Sequence, residues 1–369
     1  MADEARRSWT ARAAMIMAGL AASATLLPVS AEAAPAAAPS TVAARTGAGD
    51  GPRHEVTYFY GSEPQNMLDA YWHTAKRPQP AILILHGGYW VAGDKSAWQR
   101  AARWFADRGY AVFSANYRLA QQAPWPAQRD DTLAAIAYIK SHAAEFDLDP
   151  GRLAVLGSSA GGQIATDIGT YGSAAKRIRG VVALSPVAAP YQAYLDGSGT
   201  DVTKRRKRLR RTAAKLAGCR PGPSSACWST WYSMTPKNRV TAGDVPMFIA
   251  FSRDDLVSPT EGLGLRDALR QHGLQARLTV VPGAYHGGAL LHRPGMYAQI
   301  LRFMNHVTRR VTPQRTTTPP TTPTHTPSRT PTATPSPTTT PTTGSPSPTL
   351  PTMPPTPTLP TPSLHVPGQ

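Results

Sequence analysis

A serine flanked by glycines two positions away on each side occurs once in a setting that could do chemistry: Gly157-Ser158-Ser159-Ala160-Gly161. Small neighbours at that spacing let the chain turn so tightly that the central hydroxyl is exposed at the start of a following helix, whose amides favour negative charge. The glycine spacing selects Ser159, with Ser158 as its neighbour in the turn. A neutral serine is a weak nucleophile and needs a base. His286, in Val280-Val281-Pro282-Gly283-Ala284-Tyr285-His286-Gly287-Gly288, supplies one on a glycine-rich loop after an apolar run. His272, His292 and His306 fall in or near helical stretches, and His54 and His73 lie too early in the chain. The imidazole in turn needs a carboxylate to hold its tautomer. Asp254 and Asp255 both follow the apolar run 247–251; Asp254 is preferred because it lies three residues before Val257, and Asp255 is the alternative. The fourth element is His86-Gly87-Gly88-Tyr89-Trp90. Backbone amides of Gly87 and Gly88, with that of Ala160, are assigned as donors to a developing oxyanion; one such donor is worth about 3–4 kcal/mol of transition-state stabilisation. His86 reads as a brace for this loop rather than a base.

These residues are useful only if something brings them together. Short, fully apolar runs at 81–85, 110–115, 153–156, 181–184, 247–251 and 278–281 predict buried strands. Helical stretches are expected at 98–108, 127–143, 161–171, 260–272 and 296–309, between and after these strands. Such alternation indicates an α/β fold, a mostly parallel sheet flanked by helices, with its site at the carboxyl ends of the strands. Residues 56–60 and 68–72 are expected to form an antiparallel pair at its start. A small cap insertion is expected over 190–231. Tyr191, Tyr194, Trp228 and Trp231 are candidates to line the site or simply to pack the cap.

The ends of the 369-residue chain read differently. Arg6, Arg7 and Arg12 precede the uncharged run 13–27 and then Ala31-Glu32-Ala33, so residues 1–33 are expected to be a signal peptide. The run is shorter than the ~20 residues of a membrane span, and no stable span is expected after cleavage. Residues 34–52 read as a linker, 53–311 as the catalytic domain and 312–369 as a disordered Thr/Pro/Ser-rich tail, where many of the 37 prolines lie. Cys219 and Cys227 suit an oxidising compartment, where a disulfide closing so small a loop would contribute about 2–3 kcal/mol in the chain-entropy model. Two unpaired thiols are the alternative. A secreted or cell-wall-associated protein is expected. The formal net charge is +17, and from Lys204 to Arg211 every residue but Leu209 is basic. Such a run could attract an anionic cell-envelope polymer, but a solvated helix face is the simpler expectation, since Leu209, Ala213 and Leu216 follow helical spacing. No nucleic-acid motif, metal-ligand spacing or cofactor motif is present, and no cofactor or metal is expected.

The sequence resembles the H-G-G branch of the α/β-hydrolases, which includes hormone-sensitive-lipase-like esterases and bacterial feruloyl- and acetylxylan-esterase-like proteins. The likeness rests on His86-Gly87-Gly88-Tyr89-Trp90 with Gly93-Asp94-Lys95, and on Asn116-Tyr117-Arg118-Leu119-Ala120 followed by Pro124-Trp125-Pro126-Ala127 and Asp131. Gln121 and Trp125 stand where the family usually has proline and phenylalanine. The resemblance implies an α/β-hydrolase fold with a Ser159, Asp254, His286 triad and hydrolysis of a carboxylic ester, on a small molecule or on a polysaccharide. Kynurenine formamidases share an H-G-G-Y-W-type segment, which keeps an aryl-formamidase or amidase open. A non-catalytic wall-associated binding protein is the remaining alternative.

Overall fold

A computed structural model describes residues 51–310, apart from 223 and 224. The expectations for residues 1–33 and 312–369, and for all but the end of 34–52, lie outside the described residues. The central strands are β3 (Gln79–Leu85), β4 (Ala111–Ala115), β5 (Leu148–Ser158), β6 (Val181–Leu184) and β7 (Met247–Ser252). With β1 (Arg53–Phe59), β2 (Met67–His73) and β8 (Ala276–Val281) they form one eight-stranded sheet in the order β1-β2-β4-β3-β5-β6-β7-β8. β1/β2 and β2/β4 are antiparallel; the other pairings are parallel. The sequence expectations for strands are met, and β6 coincides with its apolar run.

Successive side chains on a strand face opposite sides of the sheet, and the core divides accordingly. Leu83, Leu85, Phe113, Val155, Ile249 and Phe251 pack with α2 (Ala127–Ser141), α3 (Ala160–Gly169) and α7 (Pro259–Gln271) through Ile136, Ile164 and Leu265. Ile82, Ile84, Val112, Leu156, Val182 and Phe248 pack with α1 (Gln99–Ala106) and α8 (Met296–Val307) through Phe105, Ile300 and Met304. A sheet covered on both faces explains why its strands are continuously apolar rather than alternating. β1, at the edge, is largely exposed. β5 begins five residues before the apolar run at Leu153, because Leu148 pairs with Gln79 across an irregularity in β3. Asp149-Pro150-Gly151 carries the composition of a turn and hides that extension.

The insertion between β6 and β7 holds α4 (Pro190–Asp196), α5 (Lys204–Ala217) and α6 (Ser225–Ser233). α5 starts at Thr203, whose hydroxyl accepts from Arg206 N, and ends at Gly218 in the left-handed region at φ 70°. It buries Leu209, Thr212, Ala213, Leu216 and Ala217, and turns its basic residues outward or to the margins. Cys219 and Cys227 are joined in a disulfide between α5 and α6. Tyr191, Tyr194, Trp228 and Trp231 pack on one another, with ring centroids 4.9–6.4 Å apart. Trp231 is fully buried, whereas Trp228 is exposed. The cap is tied to the body of the fold at Trp125, whose backbone N–H donates to Leu216 O (2.7 Å) and whose indole donates to Ser233 Oγ (3.0 Å).

Candidate active site

Ser159 sits between β5 and α3 with φ 53° and ψ −113°, a left-handed conformation that non-glycine residues seldom adopt. The tightness is measurable at its flanking glycines. A Cβ on Gly157 would lie 2.2 Å from Gly161 O, and one on Gly161 would lie 2.3 Å from His86 O. Ser159 is held by its own amide, which donates to Leu184 O at the end of β6 (2.8 Å).

The Ser159 hydroxyl lies 2.7 Å from His286 Nε2. His286 follows β8, and its Nδ1 is 2.5 Å from Asp255 Oδ1. An ionised carboxylate can only accept, so this places the imidazole proton on Nδ1 and leaves Nε2 as the acceptor for the serine hydroxyl. The residue on the histidine is therefore Asp255, not Asp254. Both follow β7, but the backbone at Asp254 donates to Gly283 O (3.0 Å) and leaves its side chain exposed, while the next residue turns inward and is buried. Spacing from Val257 favoured the wrong neighbour: it is Asp255 Oδ1 that accepts from Val257 N (3.2 Å).

Two serines that sequence reasoning did not single out for these roles complete the frame. Ser185, just beyond β6 at φ 46°, donates to Asp255 Oδ2 (2.5 Å) and accepts from Gly287 N (2.9 Å). Ser158 Oγ accepts from Gly288 N (3.0 Å). The loop carrying His286 is thus fixed from both sides of the nucleophile.

The segment His86–Trp90 approaches Ser159 from β3. A Cβ on Gly87 would lie 3.0 Å from Ser158 O and 3.2 Å from Ser159 Cβ, so this backbone runs close against the nucleophile turn. Gly88, at φ 129°, closes a tight loop whose carbonyl accepts from Val91 N and Ala92 N (3.1 and 3.0 Å). Ala160 follows the nucleophile as the first residue of α3. His86 is buried and stacked on Tyr117 with centroids 4.4 Å apart, its Nδ1 2.8 Å from Gly87 O. Burial pushes its pKa down, which keeps it a neutral brace. Trp90 donates to Gln163 Oε1 (3.1 Å), and Gln163 donates to Met234 O beyond α6 (3.1 Å), linking the loop to α3 and the cap. The motif residues further along are braces too. Arg118 holds Asp131 through its backbone N–H and its guanidinium, and Asn116 donates to Asp94 Oδ2 (2.8 Å). Burial opposes ionisation of Asp94, but bonds from Asn116 and Ser96 and the charge of Lys95 hold its pKa down to about 2.

The model of the BD-FAE family matches residues 68–269, more than half of the chain. The chain belongs to the BD-FAE family. The resemblance to hormone-sensitive-lipase-like esterases is borne out by its relatives as well. It is 40% identical over 124 residues to "Carboxylesterase NlhH" of Mycobacterium tuberculosis, covering 31% of this chain and 39% of that protein. It is 28% identical over 223 residues to "Ethyl acetate hydrolase" of Pseudomonas putida, covering 56% and 65%. The matched stretches span less than two thirds of these relatives' own lengths. Esterase B from Lactobacillus rhamnosis shares the fold, with a TM-score of 0.58 and 19% identity over 69% of this chain and 86% of its own.

In this BD-FAE member one buried acid near the site remains outside the hydrogen-bonded chain of Asp255, His286 and Ser159. Glu261, in the first turn of α7, accepts from Ala189 N (2.8 Å) through Oε2, and its Oε1 has no partner among the described residues. Burial pushes its pKa well above the ordinary carboxylate range, and the charges of Asp196 and Asp255 add to the effect. A carboxyl whose folded pKa is raised stabilises the fold below its unfolded pKa of about 4.3, and that contribution is lost as pH rises through the folded value. Glu261→Gln removes this titration. The melting temperature of the variant relative to the parent is expected to be about 2–4 °C more favourable at pH 8 than at pH 5, the equivalent of roughly 1 kcal/mol in a domain of this size. A pH-independent difference would show that Glu261 does not ionise over that range.

Proposed function

We propose that this protein is an exported serine hydrolase that cleaves carboxylic esters through an acyl-enzyme on Ser159. The observation that carries the reading is the continuous hydrogen-bonded chain Ser159 Oγ, His286, Asp255, with 2.7 and 2.5 Å links and a strained serine at its head. His286 Nε2 takes the hydroxyl proton as Oγ attacks the ester carbonyl carbon. Asp255 stabilises the imidazolium, and the amides of Gly87, Gly88 and Ala160 receive the oxyanion. Collapse of the tetrahedral intermediate expels the alcohol, which takes the proton from His286. Water activated by the same imidazole then releases the acid and restores the serine. The names of the curated relatives, a carboxylesterase and an ethyl acetate hydrolase, favour an ester over an amide or aryl formamide. Export is supported by the Cys219–Cys227 disulfide, a bond that persists in oxidising compartments.

The full chain, treated with a fluorophosphonate reagent, is expected to gain one phosphonyl group, located by peptide mass mapping on Ser159. It is also expected to release p-nitrophenolate from p-nitrophenyl acetate. Ser159→Ala should give no adduct. A folded parent protein that neither reacts nor releases p-nitrophenolate would overturn the reading.

A further inference from the structure

The basic run of α5 is placed against the stability of its own helix. The first turn holds Lys204, Arg205 and Arg206 and no acid, the reverse of what the helix dipole favours, and like charges at i, i+4 spacing repel. Among the described residues, no ion pair involves any basic residue of α5 or Arg220. A charge concentration that weakens the element carrying it, and that no ion pair among the described residues offsets, is suited to a ligand.

Two contacts give that ligand a position. On one side, Tyr194, Arg210, Arg211, Lys215 and Arg220 line a cavity of about 590 Å³ with no acidic residue in its wall. Arg210 is fixed there, its guanidinium 3.7 Å over the Tyr194 ring and donating to Tyr194 O (2.5 Å). On the other side, Arg208 lies 4.5 Å over the ring of Tyr89, the residue after Gly88 in the loop beside the nucleophile. Arg208, Arg211 and Lys215 stand at i, i+3 and i+7, so they form one row about 10 Å long on a single helix face. The row runs from the cavity to Tyr89, in the loop that carries Gly87 and Gly88. We propose that α5 is a substrate subsite for an anionic polysaccharide, and that the ester hydrolysed at Ser159 is an acyl group carried on a carboxylate-bearing sugar chain.

Guanidinium forks match carboxylates in geometry. A row leading from an open cavity to the loop beside Ser159 suits an extended chain better than it suits a flat membrane surface. The inference rests on the esterase reading above, and the test separates the two. Binding of fluorescein-labelled oligogalacturonate to the full chain is measured by anisotropy, beside a neutral xylo-oligosaccharide of equal length, polyglycerol phosphate and anionic phospholipid vesicles. The uronate oligomer is expected to bind at least tenfold more tightly than the neutral one. Raising NaCl from 50 to 300 mM should weaken it about tenfold, since charges at this spacing are screened over roughly 8 Å at physiological salt. The variant R208Q/R211Q/K215Q, which alters only exposed side chains, should bind it at least tenfold more weakly. The ratio of kcat/KM on O-acetylated oligogalacturonate to that on acetylated xylo-oligosaccharide should fall by a similar factor. Equal affinity for the neutral oligomer, an unaltered triple variant, or tenfold tighter binding of polyglycerol phosphate or vesicles would each overturn the proposal. The parent's rate on p-nitrophenyl acetate reports on the esterase reading alone. Hydrolysis of that ester without uronate binding sinks the subsite and spares the esterase; no hydrolysis sinks the esterase reading itself.

Discussion

Asp255→Ala is expected to lower kcat on p-nitrophenyl acetate by about 10³–10⁴-fold, whereas Asp254→Ala stays within about threefold of the parent. The two residues are adjacent, so the contrast tests the geometry rather than the neighbourhood. Asp255 Oδ1 accepts hydrogen bonds from His286 Nδ1–H and Val257 N–H, while Oδ2 accepts from the Ser185 hydroxyl. Alanine removes all three acceptor roles. The imidazole then loses both its tautomer control and the negative charge that stabilises it once it has taken the serine proton. Asp254 donates to Gly283 O through its backbone, which alanine preserves, and its side chain reaches solvent. Asp255→Asn should fall between. Its carboxamide oxygen can still face His286 and Val257, because the Ser185 hydroxyl can rotate to accept from the amide nitrogen. That variant keeps orientation and loses charge, so its kcat is expected below that of Asp254→Ala and no lower than that of Asp255→Ala. If Asp254→Ala is the crippled enzyme and Asp255→Ala is not, the arrangement around His286 is wrong.

The same pair shows what a sequence leaves unread. Strands β3 to β7 were legible because a sheet buried on both faces demands continuous apolar runs, and those runs end where the site begins. Ser159, His286 and the glycine loop could then be placed by their position after strand ends. Which of two consecutive aspartates turns inward is set by contacts such as the Asp254 N–H bond to Gly283 O and the Val257 N–H bond to Asp255 Oδ1, and neither leaves a mark on composition. Ser185 was hidden for the same reason. It follows β6 as an ordinary serine before a proline, and its role appears only when β6, β7 and the loop after β8 are laid side by side. The helical spacing of α5 was legible, but its relation to Tyr89 and Tyr194 was not, since both partners lie far away in sequence or on another helix.

Gly88→Ala should lower kcat by about 10²–10³-fold with KM changed only a few-fold, the signature of lost transition-state stabilisation rather than lost binding. A Cβ at this position would fall 1.9 Å from Ala92 O, at a φ of 129° that alanine rarely adopts. The chain must move, and its freedom to do so is one-sided. Trp90 is buried, its indole bonded to Gln163 and its carbonyl accepting from Ala120 N (2.7 Å), so the far side of the loop is anchored. The displacement falls instead on residues 87–89, where the oxyanion donors are assigned. A shift of about 1 Å there is enough to misplace a donor whose worth depends on its aim. Gly273→Ala is the matched control. Gly273 also has a positive φ, 75°, but a Cβ there meets nothing within 4 Å. That variant should lose only the roughly 1–2 kcal/mol of a left-handed alanine, read as a lower melting temperature, with kcat retained. A loss of kcat in both variants would mean that activity follows global stability, and the assignment of Gly87 and Gly88 as donors would fail with it.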